Sequence, residues 1–202
     1  RETYLALKQL GSAYMQFIPI VERHAQTQSV IDFSVPSEGY GQFLVDVFHE
    51  WYEHDVGKIY VSQFDNLLGQ WLGYPSTTCV HQPTCGQSLV TEANGDVYAC
   101  DHFVYPEYKV GNLTQQPLTE IVFSSKQQQF GLEKSQKLTA LCRHCEFRKL
   151  CYGGCPKHRF ISLENEPNPH NYLCASYRYF FEQTAPYMQA MARQIRLHPS
   201  AT

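Results

Sequence analysis

The chain of 202 residues has no apolar run approaching the roughly 20 residues that cross a bilayer, so a membrane-spanning helix is not what organises it. Its opening residues, RETYLALKQL, hold neither the apolar stretch nor the small-residue cleavage site of a secretory signal. Charge of either sign is in little excess: 16 Lys and Arg face 19 Asp and Glu, a formal net charge of -3. That balance leaves no basic footprint for nucleic acid. Internal repeats and low-complexity tracts are also lacking. These absences predict a cytoplasmic protein with no nucleic-acid or membrane partner, in a compartment where disulfides are disfavoured. The 43% apolar and 14% aromatic content is enough for an ordinary packed core.

Cysteine is what the chain has in plenty. Cys79, Cys85 and Cys100 are followed by Cys142, Cys145, Cys151 and Cys155 in the run C-x2-C-x5-C-x3-C, and then by Cys174. Three chemistries compete for these eight sulfurs. Disulfides need an oxidising compartment that nothing here indicates. Two tetrahedral zinc sites would also use eight thiolates, and C-x2-C is a common zinc half-site. The irregular spacings suit four-iron clusters better, because loops of uneven length can wrap a cube. Between Cys142 and Arg159, the basic residues Arg143, Arg148, Lys149, Lys157 and Arg159 outnumber the acid Glu146. Singly each fits a solvated surface; interleaved with ligands they fit compensation of a buried negative cluster.

Along the chain, residues 2–11 read as a helix ending near Gly11, and Tyr14–Val21 as a buried strand. Residues 22–37 form a loop. Phe43, Leu44, Val47, Phe48 and Trp51 recur at helical spacing on a segment that starts near Ser37 and stops at Gly57, and residues 58–63 read as a second strand. Strand and helix alternating in this way predict parallel α/β units. A whole eight-unit barrel takes about 250 residues, so the segment supplies only a few units and the chain is expected to start within a fold. Gly73-Tyr74-Pro75-Ser76 marks the boundary. Beyond it, Asn94-Gly95-Asp96 predicts a hairpin between residues 87–93 and 97–100, and residues 108–113 another strand. Helices are expected over 117–124, 125–137 and 180–196, the last with Met188, Met191 and Ile195 on one face as core.

The array C-x5-C-x14-C, then C-x2-C-x5-C-x3-C, then a distant cysteine resembles the SPASM domain of radical S-adenosylmethionine enzymes that modify peptides and proteins. The flanking words TCGQSLVTEANGDVYACDHFVYPEYKVGNL, LCRHCEFRKLCYGGCPKHRF and NYLCASYRYFF resemble the anaerobic sulfatase-maturating enzymes, which make formylglycine. YMQFIPIVER and FLVDVFHEWYEHDVGKIYVSQFDN resemble the last part of their barrel. The resemblance implies an α/β fold: the C-terminal part of a partial radical S-adenosylmethionine barrel over residues 1–75, a small α+β SPASM domain over 76–178, and a C-terminal helix over 179–202. It further implies two auxiliary [4Fe-4S] clusters, one on Cys79, Cys85, Cys100 and Cys155, the other on Cys142, Cys145, Cys151 and Cys174. Zinc or empty sites would be expected in an aerobically prepared fragment.

The motif C-x3-C-x2-C that holds the family's radical-generating cluster is absent from this chain. S-adenosylmethionine and a third [4Fe-4S] cluster are therefore expected of a longer protein, with this portion inactive alone. The partners implied are an unfolded or nascent sulfatase, or another peptide substrate, and a reductant such as flavodoxin or ferredoxin. A maturase of another peptide and a non-catalytic zinc- or cluster-binding module that recruits a partner are the alternatives. Asp101, directly after Cys100, falls where the resemblance places a catalytic acid; otherwise such an aspartate is more often a turn residue. Gln16, near the carboxyl end of the first strand, would meet cosubstrate or substrate. His102 is expected to hydrogen-bond structurally, His144 and His158 to support ligands from a second layer, and Gly153-Gly154 to give room for a tight turn.

Overall fold

A computed structural model describes residues 1–198; the expected helix at 179–202 thus runs four positions past the described residues. In chain order the elements are α1 Glu2–Gln9, β1 Tyr14–Met15, α2 Gly39–His54, β2 Tyr60–Val61, α3 Ser62–Leu72, β3 Val90–Thr91, β4 Asp96–Tyr98, β5 Lys109–Asn112, α4 Leu118–Val122, α5 Ser125–Gln136, α6 Ala140–His144, α7 Arg148–Cys151, β6 Arg159–Ile161, β7 His170–Asn171 and α8 Cys174–Leu197. They form two compact units, one of residues 1–77 with 172–202, the other of residues 78–171. No helix among the described residues is long and apolar enough to cross a membrane.

The first unit follows the α/β expectation, with β1 and β2 paired in parallel, Tyr14 opposite Tyr60 and Met15 opposite Val61. Both strands are shorter than the sequence suggests. The run YMQFIPIV leaves the ladder after Met15, because β2 offers partners at two positions and Val61 turns at once into α3. Ile18 and Ile20 are consequently exposed. Helix α3 was not expected; its buried Phe64 and Leu67 share one face, and Gly73 ends it in the left-handed conformation at φ 99°. Helix α8 begins at Cys174, earlier than the predicted Phe180, and passes through Pro186. Met188 and Met191 are buried as expected, but Ile195 is 45% exposed, so the core face ends before it.

An aromatic cluster forms the core of this unit. Phe48 of α2 meets Phe64 of α3 with ring centroids 5.4 Å apart and Phe180 of α8 at 6.4 Å. Edge-to-face contacts of this kind add to the large apolar area that each ring buries. Asp55, just after α2, accepts from the Tyr4 hydroxyl and the Lys8 ammonium, both at 2.7 Å, and so ties α1 to the end of α2. Burial alone would raise the Asp55 carboxyl, but Lys8 and Tyr4 outweigh it and hold it below the usual range.

Helices α2 and α8 touch most closely at Gly41, whose N–H donates to Ser176 Oγ at 2.8 Å while that hydroxyl donates to Ser37 O at 2.7 Å. A Cβ at Gly41 would lie 2.6 Å from Ser176 O and 2.7 Å from its Cα, both backbone atoms. Gly41→Ala is therefore expected to destabilise this unit by about 3 kcal/mol, read as a lower urea midpoint at unchanged slope.

The second unit holds an antiparallel three-stranded sheet, β3-β4-β5, and the antiparallel pair β6-β7. Its first hairpin forms where Asn94-Gly95-Asp96 predicts it: Val90 faces Tyr98, Thr91 faces Val97, and Gly95 sits at φ 84°. The strands are again short, and Cys100 lies just beyond β4 rather than within it. Helices α4 and α5 match the two predicted segments closely.

Candidate metal centre

The cysteines of the second unit are placed by a few specific contacts. Cys79 opens a 3-10 turn that ends at the buried His81. Cys85 donates its backbone N–H to Gly131 O at 3.3 Å, and a Cβ at Gly131 would come within 2.5 Å of Cys85 O. A side chain there would push the Cys85 loop off α5. Gln127, one turn earlier on the same face, donates to Gly86 O at 2.6 Å and Ala99 O at 3.1 Å, holding the residues beside Cys85 and Cys100 against the helix. Cys142 donates its N–H to Thr139 Oγ1 at the start of α6, and Cys151 closes α7. Between Cys151 and Cys155, the residues Tyr152, Gly153 and Gly154 are all left-handed, with φ of 48°, 72° and 62°. Gly153-Gly154 is thus the tight turn that the sequence suggests.

All eight cysteines are free thiols, in no disulfide. Cys85 is under the electrostatic influence of Cys155 and Cys79, Cys100 under that of Cys155, and Cys155 under that of Cys79. Cys155 is distant from the other three of the expected first set in sequence, and His102, two residues past Cys100, places Nδ1 3.5 Å from its Sγ. Burial pushes the Cys85 thiol up to about 11, and burial together with the Asp101 carboxylate pushes Cys100 up to about 12. Such sulfurs keep their protons until a metal cation replaces them. Cys142 and Cys151, of the expected second set, both act on Arg159. Cys174 opens α8 in the other unit.

Among the described residues, no three His, Cys, Asp or Glu side chains converge closely enough to hold a single metal ion. A cubane does not require that convergence, since each of its four thiolates binds a different iron. It does require compensating positive charge, and the centre supplies it from one unexpected source. Lys134 of α5 is 1% exposed, and its ammonium donates to Cys79 O at 2.5 Å and Val80 O at 3.0 Å. Burial brings it down to about 8, against the pull of Cys85. Arg159 donates to Lys134 O at 2.7 Å, Tyr152 O at 2.8 Å and Gly153 O at 3.1 Å. Of the basic residues interleaved with the cysteines, Arg159 turns inward, whereas Arg143, Arg148 and Lys149 are exposed and fit the solvated surface instead. This donor set of thiols, inward-turned cations and tight backbone turns fits an iron–sulfur cluster.

Asp101 begins a 3-10 turn, is exposed, and accepts from Cys100 Sγ at 3.0 Å and from the His102 N–H at 3.0 Å. The Cys100 thiol is the main influence holding its carboxyl below the usual range. His102 places Nδ1 3.5 Å from Cys155 Sγ, so it faces a thiol of the first set. His170 does the same for Cys142, at 3.8 Å, and also meets Thr139 Oγ1 at 3.0 Å. The sequence offered His144 for such a role, but its Nδ1 donates to Ala140 O of its own helix turn. His158 is buried next to His102, their ring centroids 6.5 Å apart. Gln16 is exposed immediately after β1, at the strand's carboxyl end.

Comparison with known proteins gives a consistent picture. Residues 79–146 match SPASM, an iron–sulfur cluster-binding domain. The chain is 41% identical to a serine-type anaerobic sulfatase-maturating enzyme of Bacteroides thetaiotaomicron over 95% of its own length and 50% of that enzyme's. It is 30% identical to a cysteine-type anaerobic sulfatase-maturating enzyme of Clostridium perfringens, over 96% of this chain and 52% of the relative. A solved structure, native anSMEcpe with bound AdoMet and Cp18Cys peptide, superposes with a TM-score of 0.82 at 30% identity, covering 95% of this chain and 53% of that one. The chain spans about half the length of the curated relatives it matches.

Proposed function

We propose that this chain, similar to anaerobic sulfatase-maturating enzymes over about half their length, is the cluster-bearing C-terminal portion of an enzyme that oxidises a serine or cysteine of a target sulfatase to formylglycine. The observation that carries this reading is the carboxylate of Asp101 in contact with Cys100, a member of the first cysteine set. After a hydrogen atom is lost from the substrate Cβ, one proton and one electron must still leave. The Asp101 carboxylate takes the proton from the substrate oxygen or sulfur. A cluster bound beside it supplies an acceptor for the electron. A serine then yields the aldehyde directly, and a cysteine yields a thioaldehyde that water converts to the aldehyde with loss of hydrogen sulfide.

In this reading Cys79, Cys85, Cys100 and Cys155 hold one auxiliary [4Fe-4S] cluster, and Cys142, Cys145, Cys151 and Cys174 hold the other. With four protein ligands each, these clusters would offer S-adenosylmethionine no place to bind, and its cleavage would fall to a further cluster of the longer protein. Gln16 is assigned to the face that meets cosubstrate or substrate. The partners are an unfolded or nascent sulfatase and a small reducing protein such as flavodoxin or ferredoxin, in the cytoplasm. The exposure of Asp101 equally suits a cluster-binding module that recruits a partner without catalysis, and replacement of this residue separates the two readings.

The cluster content is directly testable. Protein reconstituted anaerobically is expected to hold about eight irons and eight sulfides per chain of this length, with the absorption of cubane clusters. Two tightly bound zinc ions and no iron under the same reducing conditions would overturn the reading.

A further inference from the structure

Lys134, buried, and Arg159, half-buried, are cations with no carboxylate salt bridge among the described residues. Lys134 spends its hydrogen bonds on the Cys79 and Val80 carbonyls, and Arg159 on the carbonyls of Lys134, Tyr152, Gly153 and Gly154. Carbonyl dipoles orient a cation but do not neutralise it, and an uncompensated buried charge is destabilising. The nearby groups that become anionic on binding a metal are the cysteines, and the two cations face them differently. Lys134 holds the carbonyl of Cys79, a member of the first set, and that of Val80 next to it. Arg159 holds the carbonyls of Tyr152, Gly153 and Gly154, which lie between Cys151 of the second set and Cys155 of the first.

We propose that Lys134 and Arg159 are positioning residues that give the two clusters unequal affinities for an electron, Lys134 favouring reduction of the first alone and Arg159 favouring reduction of both. The proposal rests on the two-cluster reading above. A reduced cluster carries one more negative charge than an oxidised one, so a nearby cation in a poorly screened interior stabilises the reduced form. The exposed Arg143, Arg148 and Lys149 exert less of this effect, because water and salt screen them. With Lys134 and Arg159 both turned towards the first set and Arg159 alone towards the second, these residues make the cluster next to Asp101 the readier acceptor. That is where the substrate releases its electron. Lys134 also fixes the Cys79–Val80 backbone, so it positions a ligand as well as a charge.

The test is a redox titration of the full-length protein, reconstituted anaerobically and followed by electron paramagnetic resonance, with iron and sulfide counted in parallel. In Lys134→Met the reduced fraction of the first cluster at a fixed poise should fall about tenfold and that of the second much less. In Arg159→Met both should fall, and Lys134→Arg should restore the first. Lys134→Gln keeps a donor towards the Cys79 carbonyl without the charge, and it should behave like Met. If Met and Gln both shed iron from the first set while Arg retains iron and wild-type reduction, the charge is the requirement and the proposal stands. Unchanged reduction in Lys134→Met or Lys134→Gln at full iron content, equal shifts of both clusters in Lys134→Met, or iron loss in all three variants would overturn it. Failure of the wild-type protein to bind iron would instead reject the cluster reading beneath it.

Discussion

Asp101→Asn in the full-length enzyme should leave S-adenosylmethionine cleavage intact while formylglycine formation falls by about 100-fold or more, the usual scale for loss of a positioned base. Asparagine keeps the size of aspartate and can still accept from the His102 N–H, as Asp101 does at 3.0 Å. It cannot take up a proton at neutral pH. Hydrogen-atom abstraction precedes the proton loss, so 5'-deoxyadenosine should still accumulate with the variant, uncoupled from aldehyde. Parallel quantification of the two products checks this. Formylglycine at wild-type levels would return Asp101 to a turn residue and favour the partner-recruitment module.

The second large effect concerns Cys155, whose sequence neighbours Cys142, Cys145 and Cys151 would suggest membership of the same site. The proposed assignment sends it instead to Cys79, Cys85 and Cys100, and His102, two residues past Cys100, places Nδ1 3.5 Å from its sulfur. Cys155→Ala should therefore remove about four of the eight irons and abolish the first cluster, leaving the spectrum of the second; Cys174→Ala should do the reverse. A thiolate replaced by a methyl leaves one iron without its protein ligand, and a buried cubane lacking one is prone to loss. Loss of the second cluster from Cys155→Ala would refute the pairing while preserving the count of ligands.

Sequence pattern was informative wherever one local rule governed the outcome. The turn Asn94-Gly95-Asp96 needs a left-handed glycine, and the hairpin forms there. The apolar period of Leu44, Val47, Phe48 and Trp51 produces the buried face of α2. The strands at Tyr14 and Tyr60 were overestimated because strand length is decided by the partner, and each pairs over two residues. Helix α3 was missed although Phe64 and Leu67 have helical spacing, because Ser62 and Gln63 read as the end of the preceding strand. Lys134 was the most consequential omission. The inner face of α5 comprises Gln127, Gly131 and Lys134, all buried. Their spacing is helical, but a face of amide, glycine and ammonium has no apolar period to detect. Its meaning emerges only with the carbonyls and thiols packed against it.

The relay from Arg159 to Lys134 to Cys79 also has a topological consequence. Its two hydrogen bonds span 25 and 55 residues of chain, so they close two consecutive loops around one lysine. Closure entropy grows only logarithmically with loop length, each doubling adding about 0.6 kcal/mol. Extra residues inserted at the exposed turn after β5 would thus weaken the clasp little. Truncation ahead of Arg159 would leave the second loop open while Lys134 still closes the first, so a chain still emerging from the ribosome cannot complete this enclosure until nearly all of the second unit has been made.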